Sequence, residues 1–199
     1  MTKQYSESVT DDDLRSLPLI QFEGKVILVD NMQQFRQVIS EMGRPAILGF
    51  DTETKPSFKK GRRHAVSLLQ LADDRRAWLF RLNMIGLPPE LVSLLADESI
   101  IKAGVAIHDD IKALRSLVAF EPGGFVDLQT VVAAHGIKQL GLKKLSAIIL
   151  GYSISKSQQT SNWEAPALTE PQQRYAATDA WICRRIYIAL NGKISHHQP

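Results

Sequence analysis

The chain of 199 residues has a single cysteine, Cys183, so it can close no disulfide within itself. That excludes a disulfide-stapled fold and points to a reducing, intracellular compartment. No apolar run approaches the roughly 20 residues a membrane-crossing helix needs, and the polar first eight residues lack the apolar stretch of a secretory signal. No membrane partner is expected. The cytoplasm is the expected location, or the nucleus if the source has one. An excess of one charge is also missing: 24 Lys and Arg stand against 21 Asp and Glu, a net +3. This balance is compatible with a polyanionic partner but too mild to require one. There is no internal repeat, no low-complexity linker and no shift in composition that would divide the chain. The glycines form no phosphate-binding loop, which argues against an ATP-driven enzyme.

What the chain does have is 44% hydrophobic and 23% charged residues, enough for one soluble α/β domain with a substantial core. Residues 1–24 read as a partly ordered leader with an acidic run at Asp11, Asp12 and Asp13. Residues 25–191 form the domain, and residues 192–199 a flexible tail. Strand patterns are expected at 25–30, 46–53, 66–71, 76–80 and 99–107, the third and fourth joined as a hairpin. Helical spacing is expected at 32–41, 91–95, 110–118, 127–134, 142–150 and 170–190. A hairpin followed by β-α units and several helices predicts a mixed β-sheet flanked by α-helices.

The informative residues are acids among apolar neighbours. Asp51 and Glu53 are two apart on a strand and so share a face. They follow Ile47-Leu48-Gly49-Phe50, a run with the character of a buried central strand. The bland alternative places both in solvent at a strand end. Asp179 lies in the helical stripe Tyr175, Asp179, Ile182, Cys183, Ile186 and Leu190. An unpaired carboxylate there is costly, so a proton, a cation or a metal should neutralise it. A salt bridge to Arg174 or Arg185 is the alternative, although neither falls on that stripe. Of Asp109 and Asp110, Asp110 lies at the edge of its helix's apolar stripe, and Asp109 points nearly opposite. The assignment stays open between the two.

Four carboxylates from three segments suit two hard divalent cations, and oxygen-only ligands favour Mg2+ or Mn2+ over zinc. Four charges of −1 balance two of +2. Such a pair activates water and stabilises both oxygens of a phosphoryl displacement. Tyr175, one turn before Asp179, is too weakly acidic to be a general base and would orient the water. A core tyrosine with a satisfied hydroxyl is the bland reading.

The segments Phe50-Asp51-Thr52-Glu53, Ile107-His108-Asp109-Asp110 and Tyr175-Ala176-Ala177-Thr178-Asp179-Ala180 resemble the three exonuclease motifs of the DEDD superfamily. The tyrosine is similar to that of its DEDDy branch. Val66-Ser67-Leu68-Leu69-Gln70-Leu71, Ser161-Asn162-Trp163 and Leu168-Thr169 extend the resemblance over residues 46–190, toward Werner-type and ribonuclease D exonuclease domains. The resemblance implies a ribonuclease H-like fold and hydrolysis of DNA or RNA from a free 3′ end, releasing nucleoside 5′-monophosphates. By position it makes Asp51, Glu53, Asp110 and Asp179 metal ligands and Tyr175 the water-orienting residue.

Substrate contact is expected from Thr52, Phe58, Lys60 and Arg62. Lys55, Lys59, Lys60, Arg62 and Arg63 crowd into nine residues around Phe58, a pattern that could hold phosphates while Phe58 stacks on a base; a solvated loop is the alternative. Lys143, Lys144 and Lys156 read as a solvated helix face, with an extension of the basic surface as the alternative. Trp163 reads as a packing anchor before a stacking platform, and His108 as a neutral side chain near the site and not a ligand. Two other functions compete: a catalytically inactive nucleic-acid-binding scaffold, and a metal-dependent enzyme acting on a small phosphoester.

Overall fold

The run Ile47-Leu48-Gly49-Phe50 does what its apolarity predicts: it enters the middle of a sheet fully buried and carries its acids to the open end. The structure, a computed structural model, describes residues 4–57 and 64–191. In chain order the elements are α1 (Asp11–Ser16), β1 (Lys25–Val29), α2 (Met32–Met42), β2 (Ile47–Thr54), β3 (Val66–Ala72) and β4 (Arg76–Phe80). Then come α3 (Leu82–Ile85), α4 (Pro89–Ala96), β5 (Ile101–Gly104), α5 (His108–Leu117), β6 (Phe125–Asp127), α6 (Leu128–Ala133), α7 (Leu142–Leu145) and α8 (Glu170–Asn191).

The six strands form one sheet in the order β1-β4-β3-β2-β5-β6. The β2-β3 and β3-β4 pairs are antiparallel, whereas β1-β4, β2-β5 and β5-β6 are parallel, so the expected mixed sheet is present. On one face, Leu48, Phe50, Leu69, Leu71, Trp78 and Phe80 pack with Phe35 of α2, Leu91 of α4 and Leu114 of α5. On the other, Leu68, Leu79, Ala72 and Ala77 meet Tyr175, Ala176, Ala177 and Ala180 of α8. A three-layer α/β architecture follows from these two covered faces, and its mixed sheet accords with the ribonuclease H-like fold that the resemblance implies.

Three sequence expectations change in detail. The strand expected over 99–107 holds only Ile101–Gly104, because Ala106 takes a left-handed φ of 57° and turns the chain into α5. Asp127, expected to open a helix, instead ends β6 and caps α6 by accepting from the Gln129 N–H at 2.9 Å. The helix expected over 142–150 begins as α7 and finishes as a π-helical turn, Ser146–Leu150.

α8 lies close over β2 because the contact is built from small residues. A Cβ on Gly49 would overlap the Ala180 carbonyl. The segment before β1 is also tied to this helix. The Phe22 N–H donates to Thr178 Oγ1 at 3.0 Å, and the Arg174 guanidinium donates to the carbonyls of Phe22 and Gly24 at 2.7 and 3.3 Å.

Candidate active site

Strand alternation sorts the side chains at the end of β2. Gly49 meets α8, so Asp51 and Glu53, two and four residues further, face that helix, whereas Thr52 faces α5. Thr52 donates its hydroxyl to Asp110 Oδ1 on α5, and its own N–H donates to Asp51 Oδ1 at 2.9 Å. One threonine therefore connects two of the acids, and its hydroxyl is committed to a carboxylate. Asp110 is half-buried and Asp109 exposed, in the sense expected from the helix geometry.

Asp179 and Tyr175 are both buried on α8. Tyr175 packs against Trp163 with ring centroids 6.1 Å apart, and its hydroxyl lies where it holds the Asp179 carboxyl lower than burial alone would. Asp179 Oδ1 is buried with no hydrogen-bond partner. The two arginines considered as its salt-bridge partners are engaged elsewhere. Arg174 serves the backbone of the leader, and Arg185 stacks over Tyr152 and Trp181.

Electrostatics binds these acids into one cluster. Burial, then the charges of Asp179 and Asp110, push Asp51 well above the usual carboxylate range. Burial, Asp51 and Asp179 raise Glu53 to about 9. Burial raises Asp179 to about 6, opposed by Lys156 and the Tyr175 hydroxyl. Asp110 is raised by burial, opposed by the Thr52 hydroxyl. Tyr175 is pushed upward by burial and by Asp179, so it is a phenol and never a phenolate near neutrality.

The acids of this cluster offer carboxylate oxygens, and one of them is buried and unpartnered, which is the donor chemistry a hard divalent cation requires. Among the described residues no three of these groups approach closely enough to form a ready metal-binding set. Like charge and desolvation both oppose a closer approach. The residues fit the ion by chemistry and by charge.

Lys156 corrects an expectation. It sits in the loop after the π-helical turn, not on a helix face, and its charge acts on Asp51, Glu53 and Asp179. Its role was not readable from local pattern, because it depends on where a turn-rich loop crosses the sheet. Gln70 was also passed over, although one amide in the otherwise apolar run of β3 was a signal. Lys55 pairs with Glu164 at 3.2 Å. Phe58, Lys60 and Arg62, expected to contact substrate, lie outside the described residues, as do Lys59 and Arg63. Trp163 is fully buried, as a packing anchor should be.

A family model described as 3′-5′ exonuclease matches residues 26–195 of this chain. The chain belongs to the 3′-5′ exonuclease family. It is 39% identical over 148 residues to exonuclease 3′-5′ domain-containing protein 2 of Drosophila melanogaster, covering 72% of this chain and 25% of that one. The crystal structure of the Aedes aegypti Nibbler EXO domain superposes with a TM-score of 0.76 at 25% identity, covering 90% of this chain and 94% of that one. The crystal structure of the EXD2 exonuclease domain soaked in Mn has a TM-score of 0.50 at 30% identity, covering 84% of this chain and 89% of that one. The chain spans 14–39% of the length of the curated relatives it matches. No helix among the described residues is long and apolar enough to cross a membrane.

Proposed function

We propose that this exonuclease-family chain is an active, divalent-metal-dependent 3′-5′ exonuclease of the DEDDy type, acting on DNA or RNA with a free 3′ end. The observation that carries the reading is the cluster itself. Asp51, Glu53, Asp110 and Asp179 come from three separated elements, and burial holds them charged only at high cost. A purely structural protein gains nothing from this arrangement.

On this reading Asp51, Glu53, Asp110 and Asp179 hold two Mg2+ or Mn2+ ions. When bound, such ions make a water acidic and stabilise charge on the attacking and leaving oxygens. The manganese soak of the EXD2 domain accords with this choice of ion. Tyr175 stays protonated and orients the attacking water by hydrogen bonding. That water gives up a proton to solvent as its oxygen bonds to phosphorus, and the bond from phosphorus to the 3′ oxygen breaks. The departing 3′ oxygen takes a proton, leaving a shortened strand and a nucleoside 5′-monophosphate. Thr52 holds Asp110 in place, which makes it a positioning residue on this reading. Phe58, Lys60 and Arg62 follow Glu53 closely in sequence and remain our candidates for gripping the strand.

The test uses 5′-labelled single-stranded DNA, single-stranded RNA and a duplex with a recessed 3′ end, each with Mg2+, Mn2+ or chelator. Progressive shortening from the 3′ end, abolished by chelator and by Asp51→Ala and Asp179→Ala, is expected. Binding of every strand without shortening in either metal would overturn the reading in favour of an inactive scaffold.

A further inference from the structure

Gln70 stands in the middle of β3, fully buried, in the position directly opposite Asp51 in the antiparallel β2-β3 register. Residues opposite one another in such a pair project from the same face, with Cβ atoms about 4.5–5.5 Å apart. Its neighbours on that face, Leu68 and Ala72, pack against α8 and the residues around it. On its other side Gln70 pairs with Leu79. Both amide atoms of the side chain, Nε2 and Oε1, are buried without a hydrogen-bond partner.

A glutamine amide brings two donor hydrogens and an acceptor oxygen into this interior. Left unmet, they make it a worse core residue than a methionine of similar size. The neighbours of Gln70 along β3 on this face are apolar, α8 adds the buried Asp179 and Tyr175, and the polar group directly across the strand pair is the Asp51 carboxylate. Asp51 already receives one backbone donor, from Thr52 on Oδ1. We propose that Gln70 is a positioning residue for cation binding: its amide donates to the second oxygen of Asp51 when that carboxylate is ionised and engaged by a divalent cation, fixing the plane of the carboxyl group. Asp51 is then held by a backbone donor on one oxygen and an amide on the other, with its remaining lone pairs directed toward the cleft. This inference rests on the metal-dependent reading of the site. Outer hydrogen bonds of this kind typically change metal affinity by about 10–100-fold.

The test compares the full chain with Gln70→Met and Gln70→Leu, measuring Mn2+ affinity by titration calorimetry well below the melting temperature, and melting by scanning calorimetry. Asp51→Ala is the reference for a lost ligand. The expected result is about tenfold weaker Mn2+ binding in both Gln70 variants, with melting of the metal-free variants no lower than that of the parent. A purely structural glutamine would move the melting temperature down and leave affinity alone. Unchanged Mn2+ affinity in either folded variant, or failure of both to fold, overturns the inference and leaves the exonuclease reading intact. Absence of Mn2+ binding by the parent chain overturns both.

Discussion

Thr52 and Asp110, 58 residues apart in the sequence, are joined by a hydrogen bond from the threonine hydroxyl to the carboxylate. The bond crosses from β2 to α5, and the same residue's N–H holds Asp51. Thr52 thus sets the relative placement of two acids that arrive on different elements. Thr52→Val keeps the shape and removes the hydroxyl. We expect kcat for oligonucleotide trimming to fall about tenfold, the usual scale for losing a group that orients a ligand. Thr52→Ser should recover most of that loss. Full activity of the valine variant at limiting Mg2+ would show that Asp110 needs no such support.

The close seating of α8 on β2 gives a prediction about stability alone. A methyl group on Gly49 has nowhere to go, because the Ala180 carbonyl and the backbone of Arg184 stand above it. The overlap is with backbone, which cannot rotate aside. Gly49→Ala should therefore push α8 away from the sheet and cost about 3 kcal/mol or more, at the upper end of overpacking penalties. Urea unfolding measures it. A loss within about 0.5 kcal/mol would mean that the helix shifts freely, and Asp179 would not be held as rigidly as its burial indicates.

Those two contacts also mark what was legible beforehand. The parity of Asp51 and Glu53 and the stripe through Tyr175 and Asp179 are local periodicities, and both appear in β2 and α8. The sorting of Asp110 from Asp109 followed from one helical turn and agrees with their exposures. Lys156 could not be placed this way, because a loop has no period. Nor could the three-residue β6 be told from the start of a helix, since Asp127 serves as its last residue and as the cap of α6. The truncation of β5 depends on the left-handed turn at Ala106, a residue type that gives no warning of it. Gln70 was visible as an exception inside an apolar strand, but its consequence needed the register that sets it across from Asp51.

Tyr175 offers a cleaner separation of chemistry from folding. Its ring is held by Trp163, and its hydroxyl lowers the carboxyl of Asp179, whose Oδ1 is buried without a partner. Tyr175→Phe keeps the ring and removes the hydroxyl. Melting should change by less than about 1 kcal/mol, the net value of one hydrogen bond. Activity should fall about 100-fold, in the range for loss of a group that handles the attacking water. Loss of the lowering effect of the hydroxyl should also make Asp179 hold its proton to higher pH. A phenylalanine variant with parental kcat in saturating metal would remove Tyr175 from the reaction.

The raised carboxyls make metal-free stability depend on pH in a defined direction. Glu53 titrates near 9 and Asp179 near 6 in the folded chain, against ordinary values of 4.5 and 3.8. A carboxyl whose folded pKa is raised favours the folded state while it is protonated in both states or in the folded state alone. That contribution is complete below the ordinary pKa and is lost as pH rises through the folded one. The Asp179 part disappears between about pH 4 and 6, and the Glu53 part between about pH 4.5 and 9. With chelator present, the protein should melt at a higher temperature at pH 5 than at pH 8.5. Glu53→Gln, neutral throughout, should flatten the upper part of that slope. Mg2+ should recover stability at pH 8.5 and do little at pH 5, because protons and cations compete for the same oxygens. A melting temperature in chelator that rises from pH 5 to 8.5, and that Mg2+ leaves unmoved, would mean these acids are not held together as a charged cluster.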